Sequence, residues 1–498
     1  MKKIAIVTTI VLGFGLASCD SYLDINQDPN SPTEENMTTN IMMPAAEMGL
    51  VSTYGNLLRI PGGYFSQHYA HMFGTSNYVD YSQFYMSPVR SGSAYSQINR
   101  VALKNLQTIR NQAKNNGEWG TYLAATTLRA FALQTLVDCY GSAPYSEALD
   151  IANTTPHYDE GSAVYAGILE ELDEALSKTS ASDPVATNFL YQGQNAGNWI
   201  KFANALKLKI LSRESGATNV DAQIGAIINS GNLPTSDVAY TDCWSNETGQ
   251  MNPYFSEEFS SSFGSTQINV TANIALVGTM QQESYTDPRL AAFFNPNSSG
   301  VYVGGVSGTN FSTSKNYLAA YWCRPAMAYD SPVYMITVSE IEFFISEYYA
   351  RSGNHAEAAA HYAKAVEASF ASAGVDGAAE NLVAFPYDSS NYKKSIGIAK
   401  WIALSGTNNF ESWCELRRLR YPAFGSVTGA DIYDVRTDAY SPERYVPGTL
   451  YTPIQVDGNI GQNHIIERWP APSTSTSANT NAPKFDNSDY VNPVFWAK

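Results

Sequence analysis

The segment Trp119–Leu149, WGTYLAATTLRAFALQTLVDCYGSAPYSEAL, constrains the fold more than any other stretch. Trp119, Leu123, Ala130, Leu133 and Val137 recur at steps of three, four or seven residues and form one apolar stripe. Leu128, Phe131, Leu136 and Tyr140 form a second stripe on another side. A helix with two apolar stripes has to lie between neighbours, so 119–140 reads as a core element. Gly141 ends it and Pro144 prevents its return.

Comparable patterns come in pairs. Residues 93–115 precede this helix across Asn116-Gly117. Residues 160–178 and 196–214 form a second pair; in the latter, Trp199, Phe202, Ala203, Leu206 and Ile210 keep helical spacing, while Lys201, Lys207, Lys209 and Arg213 occupy other sides. A third pair spans 339–373, with Ser339-x-x-Glu342 read as a capping box, Gly353 as a stop and Asn354-x-x-Glu357 as a new start. Residues 390–404 and 409–421 make a fourth, in which Arg417 and Arg418 stand one turn from Glu411 and Glu415 at salt-bridge spacing. Residues 41–60 and 64–73 read as helices broken at Pro61-Gly62-Gly63, with His68 and His71 one turn apart on an ordinary helix face. The third pair has the length of one tetratricopeptide repeat. The expected fold is mainly α: stacked tetratricopeptide-like helical hairpins over approximately 93–215 and 336–422, with a large loop-rich part over approximately 231–334 and 423–498. Long ring-bearing loops braced on a rigid scaffold are where binding surfaces are built.

The N-terminus sets the compartment. Lys2 and Lys3 precede the apolar run Ile4–Leu16, which is too short to span a bilayer, and Leu16-Ala17-Ser18-Cys19 has the form of a bacterial lipobox. Residues 1–18 thus read as a lipoprotein signal peptide and Cys19 as the lipid anchor. Cleavage takes two lysines from a chain of net charge −16, leaving −18. That acidity, without a basic cluster, excludes nucleic acid as a partner. Of the remaining Cys139, Cys243, Cys323 and Cys414, none sits in a CxxC, and buried free thiols are expected. Asp24-x-Asn26-x-Asp28-x-Asn30 with Glu35 resembles a calcium-binding loop, but Pro29 replaces the turn glycine and Asx-turns explain the same residues. No cofactor is expected; a structural calcium is the one possibility this segment leaves open.

Motifs along the chain resemble those of the SusD/RagB family of outer-membrane nutrient-binding lipoproteins, closest to its SusD-like branch. They are Tyr22-Leu23-Asp24-Ile25-Asn26 after the lipobox, Pro144-Tyr145-Ser146-Glu147-Ala148 with Pro156-x-Tyr158-Asp159, and Trp199-x-x-Phe202-Ala203-Asn204-Ala205-Leu206. Asp287-Pro288-Arg289-Leu290, Phe410-Glu411-Ser412-Trp413-x-Glu415-x-Arg417-Arg418 and Arg468-Trp469-Pro470 follow; the acidic residue and Asn expected after the last are replaced by Pro472-Ser473-Thr474-Ser475-Thr476. The resemblance implies one domain over 19–498 on the outer surface of Bacteroidota-type cells. It implies a binding protein, not an enzyme. Such a protein would capture oligosaccharides or peptides and deliver them to a SusC-like TonB-dependent β-barrel transporter, as its lid.

The residues themselves agree in kind. Sugar C–H faces stack on aromatic rings and sugar edges bond to Asn, Asp and Arg, which makes Tyr240, Asp242, Trp244, Asn246, Tyr321, Trp322 and Arg324 the candidate ligand residues. An exported glycoside hydrolase is the alternative, although no motif singles out a carboxylate pair; a purely structural surface adaptor is another. Arg417 is expected to orient the last scaffold helix.

Overall fold

The computed structural model describes residues 37–72, 75, 77–149, 152–260, 269–308 and 319–498. The signal peptide, Cys19 and the Asp24–Glu35 loop lie outside them.

The first helix, α1 (Thr39–Ser52), continues through a π turn, Thr53–Leu58, into α2 (Arg59–Phe65). The break expected at Pro61-Gly62-Gly63 does not occur. Pro61 is the third residue of α2, just after the π turn, and the helix continues through it. The glycines serve contact instead: a Cβ on Gly62 would lie 2.6 Å from the Phe410 Cα. Nor does a helix run over 64–73. The chain leaves α2 at Gln67, whose φ is +53°, and Tyr69–His71 becomes a strand antiparallel to Val270–Ala272. His68 is buried between the Trp401 carbonyl (2.9 Å) and the Asn409 amide (2.9 Å). Burial pushes its imidazole down to about 3, so it is neutral.

The scaffold follows the expected pairs. Helix α3 (Pro88–Gln97) passes through a second π turn, Ile98–Leu103, into α4 (Lys104–Asn116); Gly117, at φ +71°, turns the chain into α5 (Trp119–Tyr140). Every residue of α5 from Gly120 to Tyr140 is buried. Helix α6 (Gly161–Lys178) packs along α5, and α7 (Gly197–Glu214) along α5 and α6. After α8 (Asp221–Ser230) and the loop-rich segment come the hairpins α9 (Val338–Arg351)–α10 (His355–Ala373) and α11 (Tyr392–Ser405)–α12 (Asn409–Leu419), with α12 against α2. The fold is thus mainly helical, of stacked hairpins. One hydrophobic core runs from Met42 to Ala497, and a smaller one lies between α9, α10 and α11.

Two local readings change. The capping box of α9 is Thr337 with Glu340, not Ser339 with Glu342; the Ser339 hydroxyl donates to the Ala365 carbonyl at 2.8 Å. Arg418 pairs with Glu415 (2.7 Å) as the spacing suggests, but Arg417 pairs with neither glutamate. Its guanidinium lies 3.5 Å from the Trp413 ring centroid and donates to the carbonyls of Asp138 (2.9 Å) and Glu467 (2.7 Å). The four cysteines stand free, Cys139, Cys323 and Cys414 buried and Cys243 half-buried.

Between the hairpins, the loop-rich part is tied by short strand pairs, such as Val238–Tyr240 with Val333–Ile336, and by side chains that bond remote backbone. The Gln67 amide both donates to Tyr451 O (2.6 Å) and accepts from Tyr451 N (3.1 Å). The Asn273 amide donates to Tyr69 O (3.1 Å), and the Tyr445 hydroxyl donates to Ala275 O (2.9 Å). Among the described residues, no helix is long and apolar enough to cross a membrane.

Candidate functional site

Both π turns contribute to one groove. Local π winding inserts an extra residue and often accompanies a functional surface. Leu57 from the first turn and Asn99 and Arg100 from the second line a groove of ≈ 680 Å³, completed by Tyr95, Tyr158 and the start of the short helix Ser473–Ala478. The Tyr95 and Tyr158 hydroxyls meet at 2.6 Å.

A second cleft of ≈ 210 Å³ shares Leu57 and Ser93 with the first, so the two are contiguous. Its wall is a tyrosine pair. The Tyr78 and Tyr81 rings stack at 5.5 Å and 10°, and Tyr64 backs both at 6.1 Å. The Arg90 guanidinium lies 5.2 Å from the Tyr81 centroid and pairs with Asp80 at 2.6 Å. Asn56, Asn77 and Glu257 also line it, and among the described residues the buried Asn56 Oδ1 has no hydrogen-bond partner. The segment carrying the pair is held at a conformational cost. Tyr78 and Phe84, at φ +63° and +64°, bracket the helical turn Val79–Ser82 in the left-handed region that bulky residues avoid.

Electrostatics keep the wall neutral. Burial, followed by the Glu258 and Glu257 charges, drives the Tyr78 hydroxyl well above its ordinary range, and burial pushes Tyr81 up to about 12. Burial also raises the Asp80 carboxyl, against the pull of Arg90. The cleft thus offers ring surface, amide groups, the Arg90–Asp80 pair and the Glu257 carboxylate, a mixture of stacking faces and hydrogen-bonding groups that suits a polyhydroxyl ligand.

The seven residues chosen from the sequence line neither cavity and fall into two groups. Tyr240 is fully buried, its hydroxyl donating to Glu47 Oε1 at 3.1 Å; the Trp244 indole donates to Tyr240 O at 3.0 Å. Asp242 and Asn246 are exposed beside them. In the other group, Tyr321 is half-buried and Trp322 buried; the two meet edge-on at 4.9 Å, and Tyr440 joins them 5.3 Å from Trp322. Arg324 lies 4.9 Å over the Phe259 ring. Tyr240 and Trp322 are too buried to offer a ring face and act as bracing.

Sequence reasoning passed over Asn56, Tyr78, Tyr81, Arg90, Tyr95 and Tyr158. One signal was available: Asn77–Met86 reads NYVDYSQFYM, four rings in ten residues, interleaved with polar groups.

Comparison with known proteins places this geometry. A family profile described as "Starch-binding associating with outer membrane", SusD-like, matches residues 29–446. A search of curated protein sequences finds no match. Among solved structures, a SusD homologue from Bacteroides uniformis superposes with a TM-score of 0.71 at 21% identity, over 91% of this chain and 98% of that one. A chitin-binding SusD homologue from Flavobacterium johnsoniae gives 0.69 at 18%, over 94% and 97%. A SusD homologue from Bacteroides fragilis gives 0.69 at 20%, over 93% and 99%. At these identities the structures speak for the fold, and the profile, spanning most of the chain, speaks for descent: the protein belongs to the SusD-like family.

Proposed function

We propose that the protein is an exported lipoprotein, cleaved after residue 18 and acylated at Cys19. It captures oligosaccharide, or peptide, at the cell surface and passes it to a SusC-like TonB-dependent transporter, over which it sits as a lid. Residues 19–498 act as one SusD-like unit that binds and releases its cargo without chemical change. The observation that carries this reading is the pair of contiguous tyrosine- and amide-lined cavities on the scaffold of a family described as starch-binding and outer-membrane associated. Tyr321, Arg324, Trp244, Asp242 and Asn246, braced by Tyr240 and Trp322, form a proposed second contact surface. Glycan is favoured over peptide because the lining offers rings, hydroxyls and amides.

The test is purification from native outer membrane in mild detergent after crosslinking, with glycan binding measured on the same material. A stoichiometric large β-barrel and saturable glycan binding that weakens in Tyr81→Ala are expected. A lipoprotein that comes alone and binds no glycan would sink the proposal.

A further inference from the structure

Behind the Tyr95–Tyr158 pair lies a separate cavity of ≈ 90 Å³. Tyr95 and Tyr158 line both it and the ≈ 680 Å³ groove, so the cavity adjoins the groove at the tyrosine pair. Its inner wall comes from Arg468-Trp469, and both carry a donor without an acceptor. Trp469 is 1% exposed and its indole Nε1–H is unpartnered, as is the Arg468 Nε–H. A buried donor left unmade costs free energy that a ligand's acceptor would recover.

Arg468 makes one hydrogen bond, from Nη2 to the Pro493 carbonyl at 3.1 Å, and among the described residues no carboxylate stands within ion-pair distance of it. Lys484, exposed at the edge, is likewise unpaired there. Asp489 is the sole carboxylate among the lining residues, and its oxygens already accept from the Asp486 and Asn492 nitrogens. Arg468 and Lys484 face Asp489 within the lining, and Glu160 also acts on the Arg468 charge from outside it, so the call for an acceptor rests on the two unmade donors rather than on net charge. The volume is several times what one water needs, room enough for the charged substituent of a sugar.

We propose that this cavity is the end pocket of the groove and takes a carboxylate carried by an oligosaccharide, making a uronic acid residue part of the preferred cargo. The Arg468 Nε–H and the Trp469 Nε1–H would grip the carboxylate as charge-assisted donors, while the uronate ring and its neighbours lie in the groove against Tyr95, Tyr158 and the Ser473–Ser475 hydroxyls. This rests on the capture function proposed above and narrows its ligand.

The experiment labels the tryptophans of the mature protein with ¹⁵N and follows its eight indole signals. The Trp469 signal is identified by its loss in Trp469→Phe. Titration with a uronate disaccharide should shift that signal, and titration with its methyl ester should not. Affinity for the acid should exceed that for the ester about tenfold, the scale of one charge-assisted hydrogen bond. Arg468→Gln should erase the difference while leaving the affinity for the ester in place. Should that variant fail to fold, the acid–ester comparison on the unaltered protein decides alone. An unmoved Trp469 signal, equal affinities for acid and ester, or a shift caused only by a peptide C-terminal carboxylate would overturn the inference. Failure of the capture function is read separately: absence of a transporter partner with the Trp469 shift intact would leave the pocket's chemistry standing.

Discussion

The helical half and the loop-rich half bury their polar groups by opposite means. In the scaffold, five helices close on charges. Lys209 of α7 donates to Glu411 of α12 at 2.7 Å, and Arg213 of α7 bridges Glu411 and Asp138 of α5. Lys400 of α11 meets Glu415 at 2.9 Å, and Arg418 joins Glu415 to Glu347 of α9. In the loop-rich half most ties are neutral amides and hydroxyls that bond the backbone of remote segments, such as Gln67 to Tyr451, with the buried Arg289–Asp287 pair (2.6 Å) an exception. Removing one member of a charge cluster leaves its partner buried and unpaired, whereas removing a neutral tie leaves only an unsatisfied dipole. The scaffold should therefore fail abruptly and globally, and the loops gently and locally.

The most severe test is Arg213→Ala, which strips Asp138 of its ion-pair partner and leaves Glu411 with Lys209 alone. A loss of about 3–5 kcal/mol is expected in urea unfolding; a loss below about 1 kcal/mol would show the cluster adds little to stability. Arg417→Ala comes next. It deletes the bonds to the Asp138 and Glu467 carbonyls and longer ones to Trp413 O and Cys414 Sγ from a buried guanidinium, costing about 2–3 kcal/mol, and should lower the melting temperature more than it lowers glycan affinity; the reverse ranking would place Arg417 in ligand binding. Gln67→Ala should cost about 1–2 kcal/mol, with hydrogen exchange rising around Tyr451 while α5 stays protected. Uniform loss of protection would erase the distinction between the halves.

The smallest effect sharpens the comparison through pH. Glu411 is held down to about 2: burial alone would raise it, but the Arg213 and Lys209 charges prevail. Its contribution to stability is present above the unfolded value of 4.5 and is lost as pH falls through 2. Glu47, which clasps α1 to the loops by accepting from the Phe189 and Leu190 amides and the Tyr240 hydroxyl, is pushed by burial up to about 7. The folded state then holds a proton that the unfolded chain releases above 4.5, so stability falls as pH rises from 4.5 through 7. Melting temperatures of the protein and Glu47→Gln across that window should diverge, with the glutamate form losing ground toward pH 7. Parallel curves would refute the assignment.

What could be read in the sequence follows the same division. Periodicity reports burial of helix faces, so α4–α7 and α9–α12 were all legible within a few residues, as were the Gly117 and Asn354 caps. Periodicity says nothing about partners. The chain spacing of Arg417 suggested a salt bridge, but the nearer claim on it came from Asp138 O, far away in sequence. Pro61-Gly62-Gly63 looked like punctuation because glycine's role there is to admit Phe410, a contact made only in three dimensions. The candidate cavities were hardest, since Leu57, Tyr95, Tyr158 and Ser475 are brought together by tertiary packing.

The two π turns bear on how this surface could change over time. Each is one residue longer than the α-helical path it replaces, and in an α-helix one residue corresponds to about 100° of rotation. Deleting a single residue from Thr53–Leu58 would rewind the segment and swing everything before it, α1 with Glu47 included, relative to α2, which Gly62 holds against Phe410. Substitution at these positions edits the groove's lining, whereas gain or loss of one residue would re-aim an entire wall. Chain length within those two short turns is thus a coarse dial on cargo shape, and side-chain identity is the fine one.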